Sequence, residues 1–234
     1  MALTAPRAIL FDLDGTLADT APDLAAAMNR VRTARGLAPT PYELLRPVAS
    51  AGARGLIGAS FGLKPDDEGY NALRDDFLDT YEAFIAVESR LFNGIDVLLA
   101  RLQEYKLPWG IVTNKATRFT ERLIPQIGLG HARCVISGDT TPYSKPHPAP
   151  LLEAASRLGV PPGDCWYVGD DLRDIQAGHA AGMITIAAAW GYCGHAEPTT
   201  WDAHALADSP TGLLDLIRTQ ALNSIGRVAS SAIQ

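Results

Sequence analysis

The stretch FDLDGTLADT (residues 11–20) follows the apolar run Ala8-Ile9-Leu10 and decides how the chain is read. The run ending at Phe11 has the composition of a strand buried on both faces. Asp12 and Asp14 come directly after it, and Gly15-Thr16 directly after them. A carboxylate at the end of a buried strand loses hydration that only a partner returns. Two such groups, two positions apart, therefore require a cation, hydrogen-bond donors or both. Residues two apart in an extended chain point to one face, which aims Asp12 and Asp14 at a common cleft.

Outward from this stretch the chain divides into two patterns. From Leu91 onward, strand-like runs at 109–113, 134–137, 165–168 and 184–188 alternate with helical segments. Three of those segments stop at Gly128, Gly159 and Gly182, each followed by an apolar residue, the mark of a helix closed by a left-handed glycine. The helix after Lys145 opens in KPHPAPLLEAASRL, with prolines where a first turn spares the missing N–H. Strands alternating with helices imply an α/β protein with a parallel sheet covered on both faces. Residues 20–90 carry helical apolar spacing and no strand pattern, so a helical insert interrupts the sheet unit after its first strand. The expected division is 1–18 and 91–225 as the α/β core and 19–90 as the helical insert. Residues 17–20 form the hinge between them, and 226–234 a frayed tail.

Bulk properties narrow the function. The 234 residues are 47% hydrophobic and 20% charged, with a net charge of −6 and no cluster of Lys and Arg. That balance argues against nucleic-acid and membrane-surface binding. No run approaches the roughly 18 apolar residues of a membrane span, and no secretory pattern is visible. Three widely spaced cysteines read as reduced thiols of a cytoplasmic protein. Cys134 and Cys165 sit in strand runs and read as core residues. No two of the five histidines show zinc-ligand spacing with a cysteine.

In open α/β sheets the ligand lies beyond the carboxyl ends of the strands. The polar residues found there are Asp12, Asp14 and Thr16; then Thr113, Asn114 and Lys115; then Lys145, on the approach to a helix; and finally Asp170, Asp171 and Asp174. Each has a bland reading. The first pair fits a turn, Thr113-Asn114 a helix cap, Lys145 a surface charge, and Asp171 and Asp174 acids favoured at a helix N-terminus. Together they have a chemical logic. Two acidic clusters converging on one point suit Mg2+, a hard cation that takes oxygen ligands. Thr, Asn and Lys supply donors for an anion, and a metal, a carboxylate and phosphate donors describe phosphoryl transfer through an aspartyl-phosphate.

These four segments resemble the four motifs of the haloacid dehalogenase (HAD) superfamily. DLDGT matches the first, Thr113 the second, Lys145 the third and GDDLRD the fourth, in order and each at a strand end. The resemblance implies a Rossmann-like core with an inserted type 1 cap, the phosphatase arrangement. It makes Asp12 the nucleophile and Asp14 the general acid–base, with the Asp14 backbone carbonyl, Asp12 and Asp170 on Mg2+. Thr113 and the Asn114 N–H would bind phosphate oxygens, Lys145 would offset charge, and Asp171 and Asp174 would act as outer carboxylates. The second aspartate separates the chain from haloacid dehalogenases themselves. A β-phosphoglucomutase-like phosphomutase keeps both aspartates and is the further alternative. A non-enzymatic phosphate sensor would need no acid–base.

The leaving group is a matter for the insert. Its stretch SAGARGLIGASFG (residues 50–62) has small residues that let backbone N–H groups approach a ligand, and Arg54 would pair with a carboxylate or hydrogen-bond a sugar; the bland reading is a helix–helix joint with Arg54 in solvent. The pattern resembles phosphoglycolate phosphatases, which makes 2-phosphoglycolate the expected substrate; SAGARGLI with LPWGIVTNK resembles still more a bacterial branch that hydrolyses N-acetylmuramic acid 6-phosphate, which is the alternative. Both substrates are small phosphorylated metabolites carrying a carboxylate. A monomer or homodimer is expected. His147, among prolines, is read as peripheral, and Trp190 and Tyr192 as packing at the sheet edge.

Overall fold

The computed structural model describes residues 3–194 and 196–231. Six parallel strands form one sheet in the order β5-β4-β1-β6-β7-β8. They are β1 (Ala8–Phe11), β4 (Trp109–Val112), β5 (Val135–Ile136), β6 (Cys165–Gly169), β7 (Ile184–Ala188) and β8 (Ala205–Ala207). The α/β parallel-sheet core is as the sequence predicts. β8 was not expected, because three residues are too few to carry a period.

The apolar composition of β1 has a direct cause. All four residues are buried, with β4 on one side and β6 on the other. Ile9 and Phe11 face one layer, built with Trp109, Ile111, Trp166 and Val168 and closed by α5 (Ile95–Glu104), α6 (Thr117–Gln126) and α9 (Pro210–Ser231). Ala8 and Leu10 face the other, with Val112, Ile136 and Tyr167 under α7 (Ala149–Leu158) and α8 (Leu172–Ala180). Alternate side chains enter opposite cores, so no position on β1 meets water. Cys134 and Cys165 lie in the second layer, and burial pushes both thiols up to about 11, which leaves them unreactive. Gly128, Gly159 and Gly182 hold φ of 80°, 68° and 72°, the left-handed geometry expected of them.

Between β1 and α5 the chain builds α1 (Ala21–Thr33), α2 (Tyr42–Leu45), a 3-10 turn (Arg46–Ala51), α3 (Gly52–Phe61) and α4 (Tyr70–Ala83). These pack on a second apolar cluster that includes Met28, Leu56, Phe77 and Tyr81 and takes in Phe119 and Tyr192 from the sheet unit. The sequence showed no strand here, yet β2 (Ala18–Asp19) pairs antiparallel with β3 (Arg90–Leu91) where the chain leaves the sheet unit and returns. The stretch read as a hinge thus lies partly in a two-stranded ribbon. Beside it, the buried carboxylate of Asp23 accepts from the N–H groups of Glu88 and Ser89 and from the Ser89 hydroxyl. α9 is helical to Ser231, within the stretch expected to fray, and residues 232–234 lie outside the described residues. No helix among the described residues is long and apolar enough to cross a membrane.

Candidate active site

The carboxyl ends of β1 and β4 open onto a cavity of about 320 Å³ whose floor carries Asp12, Asp14, Thr113, Asn114 and Lys145. Its roof is the helical insert, through Ala49, Ser50, Phe77 and Tyr81. At the centre of the floor is Lys145, 5% exposed. Its Nζ meets Asp12 Oδ1 at 2.8 Å, Asp174 Oδ1 at 2.7 Å, the Tyr167 hydroxyl at 2.8 Å and the Val112 carbonyl at 3.0 Å. Burial alone would lower the lysine, but Asp12 and Asp174 hold it charged above its ordinary value. The Asn114 side chain clasps its backbone, donating to Lys145 O and accepting from Lys145 N, both at 2.9 Å. One consequence of Asn114 is therefore the position of the ammonium.

Carboxylates outnumber cations here. Oxygens of Asp12, Asp170 and Asp174 lie within 4.8 Å of one another, all buried. Burial pushes Asp12 up to about 7 against the pull of Lys145. Asp170 is raised well above the carboxylate range by burial and by its two acidic neighbours. Among the described residues its donors are all neutral: Thr16 Oγ1 at 2.9 Å, the Tyr192 N–H at 2.9 Å and Ser50 Oγ at 3.3 Å. Gly15 makes this packing possible. It holds φ +89°, and a Cβ there would stand 2.1 Å from Asp170 Oδ2. Three buried carboxylates against one ammonium are an unbalanced set that a hard cation fits. Asp174 is committed to the Lys145 ammonium through one oxygen and to the Asp171 N–H at the start of α8 through the other, whereas Asp12 meets Lys145 through one oxygen and Asp170 meets uncharged donors, so Asp12 and Asp170 are the side chains that would hold it.

Asp14 has its own cation. Its Oδ1 accepts from Thr20 Oγ1 and from Lys115 Nζ, the latter at 3.0 Å. Burial would lower Lys115, but the Asp14 charge keeps it protonated above its usual value. Thr113 is buried, its Oγ1 accepting from the Lys115 N–H at 3.1 Å. Asp171 and Asp174 form the capping box of α8, and Arg173 holds Asp171 at 2.7 Å. Burial would raise Asp171, but Arg173 outweighs it and keeps the carboxylate below its ordinary range. Asp171 is therefore not brought to the cluster, whereas Asp174 orients the lysine. Arg54 lies on α3, exposed and outside the cavity lining, although its neighbours Ala49 to Ala53 contribute to it.

Several site residues carried no sequence signal of their own. Lys115 stood among the donors after β4 without a separate role. Tyr192, expected to pack at the sheet edge, gives its N–H to Asp170. Its hydroxyl accepts from the N–H groups of Thr20 and Ala21, at 2.7 and 2.8 Å, and donates to Asp19 at 3.0 Å. It ties the loop after β7 to the start of α1. Trp190 donates to the Thr16 carbonyl at 2.9 Å. His147 stays peripheral, accepting from the Ala149 N–H at the start of α7. The insert touches the floor directly, since Arg173 also donates to the Ser50 carbonyl at 2.8 Å.

Comparison with known proteins points one way. A family model described as haloacid dehalogenase-like hydrolase matches residues 6–182. A protein of Xanthomonas campestris pv. campestris named phosphoglycolate phosphatase is 46% identical over 211 residues, 89% of this chain and 95% of that protein. A Pseudomonas aeruginosa protein named N-acetylmuramic acid 6-phosphate phosphatase is 44% identical over 214 residues, 90% of this chain and 94% of that protein. The crystal structure of a predicted phosphoglycolate phosphatase from Haemophilus somnus 129pt superposes with a TM-score of 0.81 at 25% identity. It covers 92% of this chain and 99% of that one.

Proposed function

The chain belongs to the haloacid dehalogenase-like hydrolases and is a phosphatase, and from that premise we propose that it hydrolyses a small phosphomonoester in two steps through an aspartyl-phosphate on Asp12. The observation that carries this reading is the division of labour on the cavity floor. Asp12 rests on Lys145 and Asp14 on Lys115, so two carboxylates two positions apart meet different cations. In the first step Asp12 attacks phosphorus, and the P–O bond to the leaving group breaks as Asp14, in the acid form that the preceding hydrolytic step leaves, gives its proton to the departing oxygen. In the second, Asp14 takes a proton from water, which attacks the acyl phosphate and frees Asp12 and inorganic phosphate. Lys145 offsets the approach of an anionic nucleophile to an anionic ester, and Thr113 with the Asn114 N–H holds the phosphate oxygens. Mg2+ would be held by Asp12, Asp170 and the Asp14 carbonyl, and when bound it supplies charge stabilisation to the transferring phosphoryl group.

In this reading residues 1–18 and 91–225 are the catalytic core and 19–90 the type 1 cap. The names of the two relatives supply the candidate substrates, 2-phosphoglycolate and N-acetylmuramic acid 6-phosphate, both of which carry a carboxylate. The test is phosphate release from p-nitrophenyl phosphate, expected with Mg2+ and abolished by EDTA. Turnover indifferent to EDTA would overturn the metal assignment, and no turnover at all the enzymatic one.

Two further results are expected. Mg2+ at about 100 times its Kd stabilises the folded protein by about 2.7 kcal/mol, or roughly 5–10 °C in melting temperature. Its cause is the excess of buried carboxylates, Asp12, Asp170 and Asp174, over the one ammonium among them, so a melting curve unmoved by Mg2+ contradicts it. Asp14→Asn lowers turnover by roughly 100- to 10,000-fold, the range of a lost general acid–base. Because the second step loses its base, acid-quenched Asp14→Asn protein retains covalent phosphate, read by intact-protein mass. Absence of that adduct together with full activity excludes the role.

A further inference from the structure

Four cationic side chains line the cavity: Lys115, Lys145, Arg118 and Arg173. Three are committed. Lys145 is held by Asp12 and Asp174, Lys115 by Asp14 at 3.0 Å, and Arg173 by Asp171 at 2.7 Å. Arg118, in the first turn of α6, is held loosely. It meets Glu82 at 3.4 Å and Asp79 at 3.8 Å, both on α4 of the insert, and its side chain is 43% exposed. These contacts can be given up without stranding a charge. Glu82 keeps Arg122 at 3.6 Å, and Asp79 is 77% exposed to water. The guanidinium lies 4.5 Å over the Phe119 ring, and Phe119 stands 5.4 Å from Tyr81, whose ring carries Lys115 at 4.7 Å. An aromatic wall thus connects the cation beside the acid–base Asp14 with a cation held by two long, solvent-facing contacts.

We propose that Arg118 is the specificity-determining residue of this site, taking the carboxylate of a phosphorylated organic acid whose body lies against Phe119 and Tyr81. The proposal rests on the phosphatase reading and refines it. It moves recognition of the acid from Arg54 of the insert to the first turn of α6 on the sheet unit. A guanidinium stacked on a ring presents its edge donors to a planar carboxylate. On engagement Arg118 exchanges Glu82 for the substrate, while Glu82 stays neutralised by Arg122.

The test uses two pairs in which one member lacks the carboxylate-bearing group, a lactyl ether in the first and the carboxylate itself in the second. One is N-acetylmuramic acid 6-phosphate against N-acetylglucosamine 6-phosphate; the other is 2-phosphoglycolate against ethyl phosphate. The wild-type protein prefers the acid in at least one pair. Arg118→Ala and Arg118→Gln cut that preference roughly 10- to 100-fold, mainly through KM, the worth of a hydrogen bond to a charged group. Arg122→Ala removes the other cation on Glu82 from outside the cavity lining, so Glu82 holds Arg118 more firmly and the preference falls by less than in the Arg118 variants. The proposal fails if wild type shows no preference for an acid, if the Arg118 variants keep it, or if Arg122→Ala loses it equally. Wild-type turnover of p-nitrophenyl phosphate separates the two levels. Its presence beside any of those results overturns the Arg118 assignment alone, and its absence overturns both.

Discussion

Asp12→Asn lowers Mg2+-dependent turnover of p-nitrophenyl phosphate by at least about 10,000-fold, the scale of a lost covalent nucleophile, yet leaves the metal-free protein at least as stable as wild type. An amide keeps the shape of the side chain and loses the charge that attacks phosphorus. Stability follows from the cluster. Asp12 is one of three buried carboxylates within 4.8 Å, and burial pushes it up to about 7. A carboxylate raised in the folded state is one the fold holds at a cost once it ionises. Removing its charge relieves Asp170 and Asp174 of a like neighbour. Lys145 is not stranded, because Asp174, the Tyr167 hydroxyl and the Val112 carbonyl remain within 3.0 Å. Paired measurements check both halves, phosphate release with Mg2+ and thermal melting in EDTA. Turnover within tenfold of wild type would remove Asp12 from the nucleophile role. A markedly lower melting point would show that its charge supports the fold.

Much of this site was legible because composition changes abruptly where each strand ends. Asp12, Thr113 and Asp170 each follow a run of apolar residues, and β1, β4 and β6 lie side by side. Adjacency in the sheet converts three distant positions into one cleft. Other features have no local signature. β2, β3 and β8 span two or three residues, too short for a period of two to register. Tyr192 reaches Asp19 across 173 positions, a closeness set by the packing of the loop after β7. The arginine assignment turns on helical phase. Ala53 lines the cavity on α3, and Arg54 is rotated about 100° further round the helix, toward solvent. Arg118 looks like any exposed charge in an amphipathic helix. Only the insert folded over α6 makes it part of a wall.

Lys145→Met has the opposite profile from Asp12→Asn, since it damages the fold as well as the chemistry. Met fills a similar volume and carries no charge. The substitution leaves Asp12, Asp170 and Asp174 together with no ammonium among them. Breaking a buried ion pair from one side costs roughly 3–5 kcal/mol, or roughly 6–20 °C in melting temperature for a chain of this size. Asn114 still clasps the backbone of residue 145, so the loss belongs to the ammonium and not to a displaced loop. Turnover falls at least about 100-fold, because an anionic nucleophile must then approach an anionic ester with one fewer cation. The double variant Asp12→Asn/Lys145→Met discriminates. It removes one charge of each sign from the same pair, so it is more stable than Lys145→Met alone, and the two effects are non-additive. It has no turnover, since the nucleophile is gone. Added Mg2+ raises the melting point of Lys145→Met, because a cation beside Asp12 and Asp170 relieves the repulsion left behind. Additive stabilities in this cycle would mean that Asp12 and Lys145 do not interact in the folded protein. The 2.8 Å contact between them would then not be the one that sets the nucleophile.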